Sequence, residues 1–425
     1  MASERLRSGM IASRQRRALA GFVAGEVLPF SPYYRERLVG AGLTGRRLLG
    51  RAGALSRLPP TELGAVAPAS FVLRPTRAAM AGSRWRWRWR ADGLLGRRSR
   101  FTANVLEPLY RPIHWDRHDG VLVGSSAADL DRLGDVGRRW LELAGVEHRD
   151  IVVDLHPVPT TLAFWQLTLG CRAAGVQLVH LGSTAVPAAI ADIQPMVLAG
   201  PPSVVHGALD RLRDQSSPLY RLRTLLVTGS GPLHQETAPL RGLVGLDVAI
   251  LAAWAPPGVR ALWAQCREAG ALHTWPDTEL LEIVDPSSGV GAPDGANGQL
   301  LWNGVGWRGT ALLRLRTGVF GTIRRDRCPG CGRTSPRIEI VDMEPQFAAV
   351  LDGNAGVALW QAELRRVNGT EELVVYLTPT RQADLVAVLD ELDEEIGVTQ
   401  FVVLSRSELT RRLAAAGDAR IVDRR

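Results

Sequence analysis

The sequence has 425 residues, of which 46% are hydrophobic and 22% charged, and its formal net charge is +8. These values exclude wholesale disorder, a collagen-like repeat and a disulfide-stapled miniprotein, and they predict two or three domain-sized units. The apolar stretches are interrupted before they reach the roughly 18 residues of a membrane span. The basic N-terminal segment is followed by only a short apolar run, broken by Glu26, unlike a secretory signal. We therefore predict a cytoplasmic protein with no membrane partner.

Lysine is absent, so all 51 basic residues are arginine. Such a bias is typical of GC-rich coding sequences, as in actinomycetes. It removes the lysine amine as a nucleophile, a Schiff base or a phosphate clamp. The arginines are scattered among 43 acidic residues, and no nucleic-acid-binding motif appears, so we predict no nucleic-acid partner.

The N-terminal third begins with helical spacing over residues 11–43, where Ser31 is a candidate N-cap and Pro32 the first helical residue. Residues 68–123 are the least regular part of the chain. Within them, residues 84–90 (RWRWRWR) alternate strictly and predict a β-strand. Its tryptophan face either packs on the core or stacks on bases, and we favour the core.

From residue 127 onwards, helical and strand patterns alternate, which predicts a parallel sheet with both faces covered. The predicted helices and strands are residues 128–144, 151–155, 160–174, 176–181, a strand–helix pair over 196–213, and 222–228. Short alternating strands then follow at 280–284, 299–302 and 311–315, as in an antiparallel sheet or small barrel. The last unit has strands at 373–377 and 400–404 with a helix at 381–396 between them.

Local stretches along most of the chain resemble one enzyme family. They are residues 31–37 (SPYYRER), 58–61 (LPPT), 128–130 (ADL) with 144–145 and 150–152, 266–268 (CRE), 272–277 (LHTWPD), 282–286 (EIVDP), 313–318 (LRLRTG), 328–334 (CPGCGRT) and 420–425 (RIVDRR). With the order of elements, they resemble the adenylate-forming (acyl-CoA synthetase/ligase) superfamily, and within it the phenylacetate-CoA ligase branch. The resemblance implies an α/β fold: a large N-terminal body over 1–341, with the irregular segment 68–123 and a β subdomain at 279–341, and a small C-terminal α+β lid over 342–425.

The resemblance also implies four features that bind ATP, and the sequence departs from each of them. The family's glycine-rich phosphate loop aligns with residues 111–120 (RPIHWDRHDG), which hold one glycine and two acids. The adenine- and magnesium-binding segment aligns with residues 254–258 (WAPPG), which hold no acid. Val319 stands where the family has its ribose-binding aspartate, and the adenylation lysine expected near residues 417–419 does not exist. We therefore expect neither ordinary adenylation nor an ATP/Mg²⁺ cofactor.

Four residues form a candidate zinc site. Cys328 and Cys331 make a tight CxxC knuckle, and Cys266 with His273 supplies a third thiolate and an imidazole. Some members of the resembled branch hold a zinc between the same two segments, and a Cys₃His set is a closed structural site. The alternative is a pair of buried, reduced cysteine clusters without metal. Cys171 lies in an apolar helix, and we assign it to the core.

Three histidines are candidate catalytic residues. His114 and His118, at positions i and i+4, would share one face if that segment were helical and could act as acid/base groups; the alternative is a solvated polar loop. His156 follows a strand, at the sheet edge where α/β ligands bind; the alternative is a capped loop histidine. Neither a Gly-x-Ser-x-Gly elbow nor a Ser/His/Asp order stands out.

The candidate substrate-binding residues form a backbone loop, an apolar group and one arginine. They are Gly229, Ser230, Gly231, Trp254, Pro256, Pro257, Gly258, Trp263 and Arg316. The N–H groups of the loop suit an anion or carboxylate, and the apolar group suits an aromatic or acyl ligand rather than adenine and magnesium.

Three functions remain open. The first is a divergent ligase-like protein of actinomycete specialised metabolism that binds an aromatic or acyl carboxylate, or its thioester (a CoA thioester among them), and transfers or cyclises a preactivated acyl group. The second is a catalytically inactive scaffold or regulatory protein, with a protein partner or as a homodimer. The third is a working acyl-CoA ligase that tolerates the altered ATP motifs.

Overall fold

The computed structural model describes residues 8–51, 53–63, 66–118, 121–157, 161–184, 187–216, 218–228, 239–267, 269–285, 289–293, 295–341, 351, 354, 356–367, 370–380, 383–396, 398–416 and 420–424. The chain divides into two compact units. One is Met1–Thr228 with Thr237–Ile340, and the other is Gly229–Glu236 with Val341–Arg425. Within the described residues, no helix combines the length and the apolar character needed to cross a membrane.

The helices of the first unit lie in the N-terminal segment and between the parallel strands. They are α1 (Ser8–Phe22), α2 (Leu28–Phe30), α3 (Pro32–Gly40), α4 (Arg46–Leu49), α5 (Arg86–Leu94), α6 (Arg98–Phe101), α7 (Glu107–Tyr110), α8 (Ala127–Leu143), α9 (Leu162–Ala174), α10 (Pro187–Ile193) and α11 (Pro202–Asp214). The predicted cap of α3 is confirmed, because the Ser31 hydroxyl accepts a hydrogen bond from the Tyr34 N–H at 3.2 Å. Helix α8 begins with a capping box in which Ser126 and Asp129 accept from each other's backbone N–H groups.

The strands of the first unit form a hairpin and a large sheet. They are β1 (Pro112–His118), β2 (Val121–Ser126), β3 (Ile151–Asp154), β4 (Gln177–His180), β5 (Val197–Gly200), β6 (Thr224–Thr228), β7 (Ala249–Trp254), β8 (Trp263–Cys266), β9 (Ala269–His273), β10 (Glu279–Val284), β11 (Gly298–Gly304), β12 (Leu315–Arg324) and β13 (Arg337–Ile340). The sheet order is β10-β11-β12-β13-β9-β8-β7-β6-β5-β3-β4. Strands β3 to β7 are parallel, as predicted. The antiparallel strands from β8 onwards continue the same sheet.

The arginine–tryptophan segment is a helix, so the prediction of a strand at residues 84–90 is wrong. Trp85 and Trp89, four residues apart, both contact the Phe101 ring, with centroid distances of 5.8 and 6.2 Å. The guanidinium of Arg88 also lies over that ring, 5.1 Å from its centroid. Alternating tryptophans suggest a strand, but they also place tryptophans at i and i+4, which lie on the same face of a helix. Here Trp85 and Trp89 pack on Phe101 in that way.

The predicted strand at residues 311–315 is also wrong, because β12 begins only at Leu315. Arg314 has φ of 47°, a left-handed conformation that strands do not contain. The N–H groups before it bond to other segments: Ala311 donates to the Phe71 carbonyl and Leu313 to the Tyr34 hydroxyl, each at 2.9 Å. These residues are therefore an anchor for the N-terminal segment.

A buried ion pair connects that N-terminal segment to the segment between β11 and β12. The Glu26 carboxylate accepts from Arg308 Nε at 2.6 Å and from the Tyr110 hydroxyl at 2.7 Å. Burial alone would raise the pKa of Glu26, but Arg308 and Tyr110 together hold it below its usual value. The backbone of Thr61 adds a short bridge, donating to the Arg314 carbonyl and accepting from the Arg316 N–H. We call these contacts the N-terminal clasp.

The second unit has a four-stranded sheet with its own core. Its elements are β14 (Val357–Val367), β15 (Thr370–Pro379), α12 (Leu385–Ile396), β16 (Gln400–Val403), α13 (Arg406–Ala415) and β17 (Ile421–Arg424), with strand order β16-β15-β14-β17. The predicted strands and helix at 373–377, 400–404 and 381–396 are confirmed with small shifts of their ends. Trp360, Val375 and Leu392 are at the centre of the core.

Candidate functional site

A chain of hydrogen bonds crosses the carboxyl edge of the parallel strands. The Thr228 hydroxyl, at the end of β6, lies 2.7 Å from His156 Nε2. His156 Nδ1 lies 2.5 Å from Asp154 Oδ1, and the second oxygen of Asp154 is 2.7 Å from His180 Nδ1. Asp154 and His156 are almost fully buried, whereas Thr228 is half-buried at the surface of the edge. The sheet edge thus carries a hydroxyl, an imidazole and a carboxylate in series.

The carboxylate fixes the orientation of the His156 ring. Burial would raise the pKa of Asp154, but the hydrogen bonds from His156 and His180 hold it below its usual value. An ionised carboxylate only accepts hydrogen bonds, so the proton of neutral His156 lies on Nδ1. Nε2 is then free to accept the proton of the Thr228 hydroxyl.

The fold brings these residues together because the segment after β3 crosses the end of β5. The Leu155 N–H donates to the Ala199 carbonyl at 2.8 Å. Gly200, the last residue of β5, makes room for the crossing, since a Cβ there would lie 3.1 Å from the Leu155 Cβ. His156 thereby reaches Thr228 on β6, two strands away from its own.

Aromatic side chains of α9 extend this group towards the β1–β2 hairpin. The Phe164 ring packs on His180 with a centroid distance of 4.9 Å, and the Trp165 ring packs on His114 at 4.6 Å. His114 Nε2 is also 3.6 Å from an Asp116 oxygen. His114 lies on a strand, so the helical arrangement considered for His114 and His118 is wrong; the side chain of His118 lies outside the described residues.

The hairpin occupies the place that the alignment gives to the phosphate loop. Strand β1 pairs antiparallel with β2, and the pairing runs from Pro112 opposite Ser126 to His118 opposite Val121. Only two residues, 119 and 120, connect the strands. Residues 112–118 therefore form a paired strand, with an irregularity between Pro112 and His114.

The apolar residues predicted to bind substrate lie at the end of β7 and after it. Thr228 pairs with Ala253, so strand alternation points Trp254 to the opposite face of the sheet from Thr228. Trp254 packs against Trp263 with ring centroids 6.0 Å apart. Trp263 itself is fully buried, and its indole donates to Glu279. Pro256 and Gly258 are buried in the turn that follows β7, where the Pro256 carbonyl accepts from the Val259 N–H, and Pro257 is half-buried.

The remaining predicted substrate residues are less defined. Arg316 bonds to Glu62 Oε1 at 2.5 Å and to Gln299 Oε1 at 3.0 Å. Gly229, Ser230 and Gly231 lie outside the described residues. Their roles in binding stay predictions.

The four residues of the predicted metal site come together, with all ligand atoms within 4.8 Å of one another. The sulfur atoms of Cys266 and Cys328 are 3.8 Å apart, and Cys331 Sγ is 3.5 Å from His273 Nε2. A tetrahedron with Zn–S of about 2.3 Å and Zn–N of about 2.0 Å has edges of about 3.8 Å and 3.5 Å, so the donor set fits zinc. His273 Nδ1 is 3.2 Å from the Ser335 hydroxyl, which orients the ring. The group can therefore hold a metal ion.

Thr228, Asp154 and His180 were not among the predicted site residues. The signal for them was the pair of polar strand ends, Asp154 with His156 after β3 and Thr228 at the end of β6, because parallel strands end at one edge. Only the register and the crossing of Leu155 over β5 determine that His156 reaches Thr228.

No family model matches the chain. By sequence it is similar to the phenylacetate-coenzyme A ligases of Thermus thermophilus (27% identical over 225 residues, 51% of this chain and 50% of the relative) and Pseudomonas putida (26% over 232 residues, 51% and 50%). The Escherichia coli phenylacetate-coenzyme A ligase is 24% identical over 252 residues, 55% of this chain and 54% of that enzyme. The chain thus spans about half the length of the curated relatives it matches.

Solved structures establish the fold. The structure of 2-hydroxyisobutyryl-CoA ligase in its postadenylation state superposes with a TM-score of 0.67 at 16% identity, covering 100% of this chain and 91% of that one. ATP-bound MatB from Rhodopseudomonas palustris gives a TM-score of 0.50 at 15% identity, with 68% and 63% covered. The chain therefore has the fold of the adenylate-forming superfamily and, within it, resembles the phenylacetate-CoA ligase branch, as the sequence predicted.

Proposed function

We propose that the carboxyl edge of strands β3 to β7 binds an aromatic or acyl carboxylate or its thioester, and that the chain acts on a preactivated acyl group without adenylating it. The similarity to phenylacetate-coenzyme A ligases supports the acyl ligand and, with it, a CoA thioester as the activated form. Phe164 and Trp165 are half-buried and contact His180 and His114, and aromatic surface of this kind suits an apolar acyl group.

The β1–β2 hairpin is the observation that carries this proposal. A phosphate cradle needs several unpaired backbone N–H groups that converge on one anion. Strands β1 and β2 pair with each other up to His118 and Val121, and successive N–H groups of a strand point to opposite sides, so those of β1 do not converge on one anion. The missing lysine and the absence of an acid at residues 254–258 support the same conclusion.

We also propose an origin and cellular location for the protein and a bound structural metal. The lysine-free composition is typical of GC-rich coding sequences, and we propose an origin in actinomycete specialised metabolism and a cytoplasmic location. A structural zinc held by Cys266, His273, Cys328 and Cys331 would join the end of β8 and of β9 to the loop between β12 and β13. The geometry supports a cation there, because the three sulfur atoms and the imidazole nitrogen lie within 4.8 Å of one another.

Calorimetric titration tests the central claim. We expect no heat of binding for ATP with Mg²⁺ or for AMP at millimolar concentration, and saturable binding of phenylacetyl-CoA. Phe164→Ala should weaken thioester binding, because it removes aromatic surface from the edge, whereas Trp87→Ala, at an exposed tryptophan of α5, should not.

Micromolar binding of ATP would contradict the proposal and restore the working acyl-CoA ligase, which a pyrophosphate-release assay with carboxylic acids would then identify. Absence of binding for nucleotides, carboxylates and thioesters alike would leave the scaffold or regulatory function.

A further inference from the structure

The hydrogen-bond chain at the sheet edge has the connectivity of a nucleophile–base–orienter triad. In such a triad a hydroxyl donates to one imidazole nitrogen and a carboxylate accepts from the other. Thr228, His156 and Asp154 have this order, with the hydroxyl 2.7 Å from Nε2 and the carboxylate 2.5 Å from Nδ1. We propose that Thr228 is an acyl-accepting nucleophile activated by His156, a role that rests on the proposed binding of acyl thioesters at this edge.

The burial of each group suits its part. Asp154 and His156 are shielded from water. Water therefore does not compete for the hydrogen bond between them, and the imidazole is held in one orientation. Thr228 is half-buried at the edge, so a ligand can approach its hydroxyl. Asp154 also accepts the His156 backbone N–H at 3.0 Å, which ties the segment after β3 to the carboxylate.

The reaction needs only Thr228, His156, the acyl thioester and water. The Thr228 oxygen attacks the thioester carbonyl carbon while its proton passes to His156 Nε2. The carbon–sulfur bond breaks, its electron pair stays with sulfur, and the thiol leaves with the proton from His156, so the product is an acyl ester of Thr228. Water then attacks this ester, with His156 accepting its proton and returning one to the Thr228 oxygen.

Within this scheme Asp154 is a positioning residue. Asparagine at that position would present an N–H to one of its two histidine partners and favour the tautomer that carries its proton on Nε2. Asp154→Asn should therefore lower kcat by about 10²-fold or more with little change in KM. A purely structural role for Asp154 would lower the thermal stability without this separation of kcat from KM.

The experiment uses the full chain and p-nitrophenyl acetate, a small activated ester that needs little shape recognition. We expect p-nitrophenol release about 10²-fold or more above that of Thr228→Val, and acid-quenched protein that carries one acetyl group, mapped by peptide mass spectrometry to Thr228. Thr322→Val is the matched control, because it removes a half-buried hydroxyl from another strand, β12, and should keep the wild-type rate. Equal rates for wild type and Thr228→Val, or an acetyl group mapped elsewhere, would overturn the proposal.

Binding measurements separate this proposal from the one on which it rests. If wild type and Thr228→Val bind phenylacetyl-CoA equally but neither is acylated, the proposed ligand class is supported and the proposed role of Thr228 as nucleophile is wrong. If p-nitrophenyl acetate acetylates Thr228 but no thioester binds, the role of Thr228 is supported and the proposed ligand class is wrong. Thermal unfolding of each variant shows that a lost rate does not come from a lost fold.

Discussion

The carboxyl group of Glu279 is buried among three tryptophans. It accepts hydrogen bonds from the Trp275 N–H at 2.7 Å and the Trp302 indole at 2.6 Å, and the Trp263 indole lies 3.1 Å away. Burial raises the pKa of Glu279 to about 7, although these three donors act in the opposite direction. The folded protein therefore binds a proton that the unfolded chain, with its ordinary glutamate pKa of 4.5, releases.

This difference predicts that Glu279 makes the protein less stable as the pH rises. Its contribution is fully present below pH 4.5 and is lost as the pH rises through about 7. A shift of this size corresponds to about 3 kcal/mol. Chemical unfolding at pH 5, 6 and 7, followed by tryptophan fluorescence, should show a shallower loss of stability in Glu279→Gln than in wild type. Equal slopes in the two proteins would assign the effect to other groups.

At the scale of elements, helices α8 and α9 approach each other through glycine. A Cβ placed at Gly137 would lie 2.7 Å from the Gly170 Cα and collide with the Gln166 carbonyl oxygen. Gly137→Ala should therefore destabilise the protein by about 1–3 kcal/mol, because the helices must separate. The measurement is the free energy of unfolding in urea.

Gly207→Ala is the matched control for this contact. A Cβ at Gly207, also in the interior of a helix, would meet only the end of the Arg211 side chain at 3.5 Å. Alanine there should be neutral or stabilising by up to about 1 kcal/mol. If both substitutions had the same effect, helix propensity rather than the close approach would explain the result.

At the scale of the whole molecule, the metal site predicts a dependence of folding on zinc. Purified protein should contain one equivalent of zinc by elemental analysis, and Cys328→Ser should lose the metal and lower the Tm by several degrees, since the site joins three segments. Cys171→Ala removes a buried cysteine remote from the cluster and should keep the metal. Metal-free wild-type protein with unchanged Tm would contradict the proposal.

The sequence predicted the structure correctly where a local pattern is typical of one kind of element. Parallel strands such as β3 and β6 and the cap at Ser31 were predicted correctly, and Cys328 and Cys331 lie beside Cys266 and His273 as expected. Local patterns failed where tertiary contacts decide: the RWRWRWR segment alternates as a strand does, yet its tryptophans pack on Phe101 at helical spacing.

The candidate site shows the same limit. His156 was predicted from its place after a strand, and the grouping of Cys266, His273, Cys328 and Cys331 from their spacing. The partnership of His156 with Thr228 depends on the path of the segment after β3 along β5, where Gly200 gives Leu155 space, and no local pattern encodes this path. Trp254 packs on Trp263, and alternation places Trp254 on the face away from Thr228, so their predicted role in binding substrate stays a prediction.

The N-terminal clasp determines when this molecule can fold. Glu26 and Arg308 are 282 residues apart, so a ribosome that adds about 5–20 residues per second releases α1 about 15–60 s before its partners exist. The nascent helix bears the apolar side chains of Ile11 and Leu19, which are buried in the folded protein. Chains truncated before Arg308 should consequently remain in contact with chaperones, and the first unit should complete its fold only after most of the chain has been synthesised.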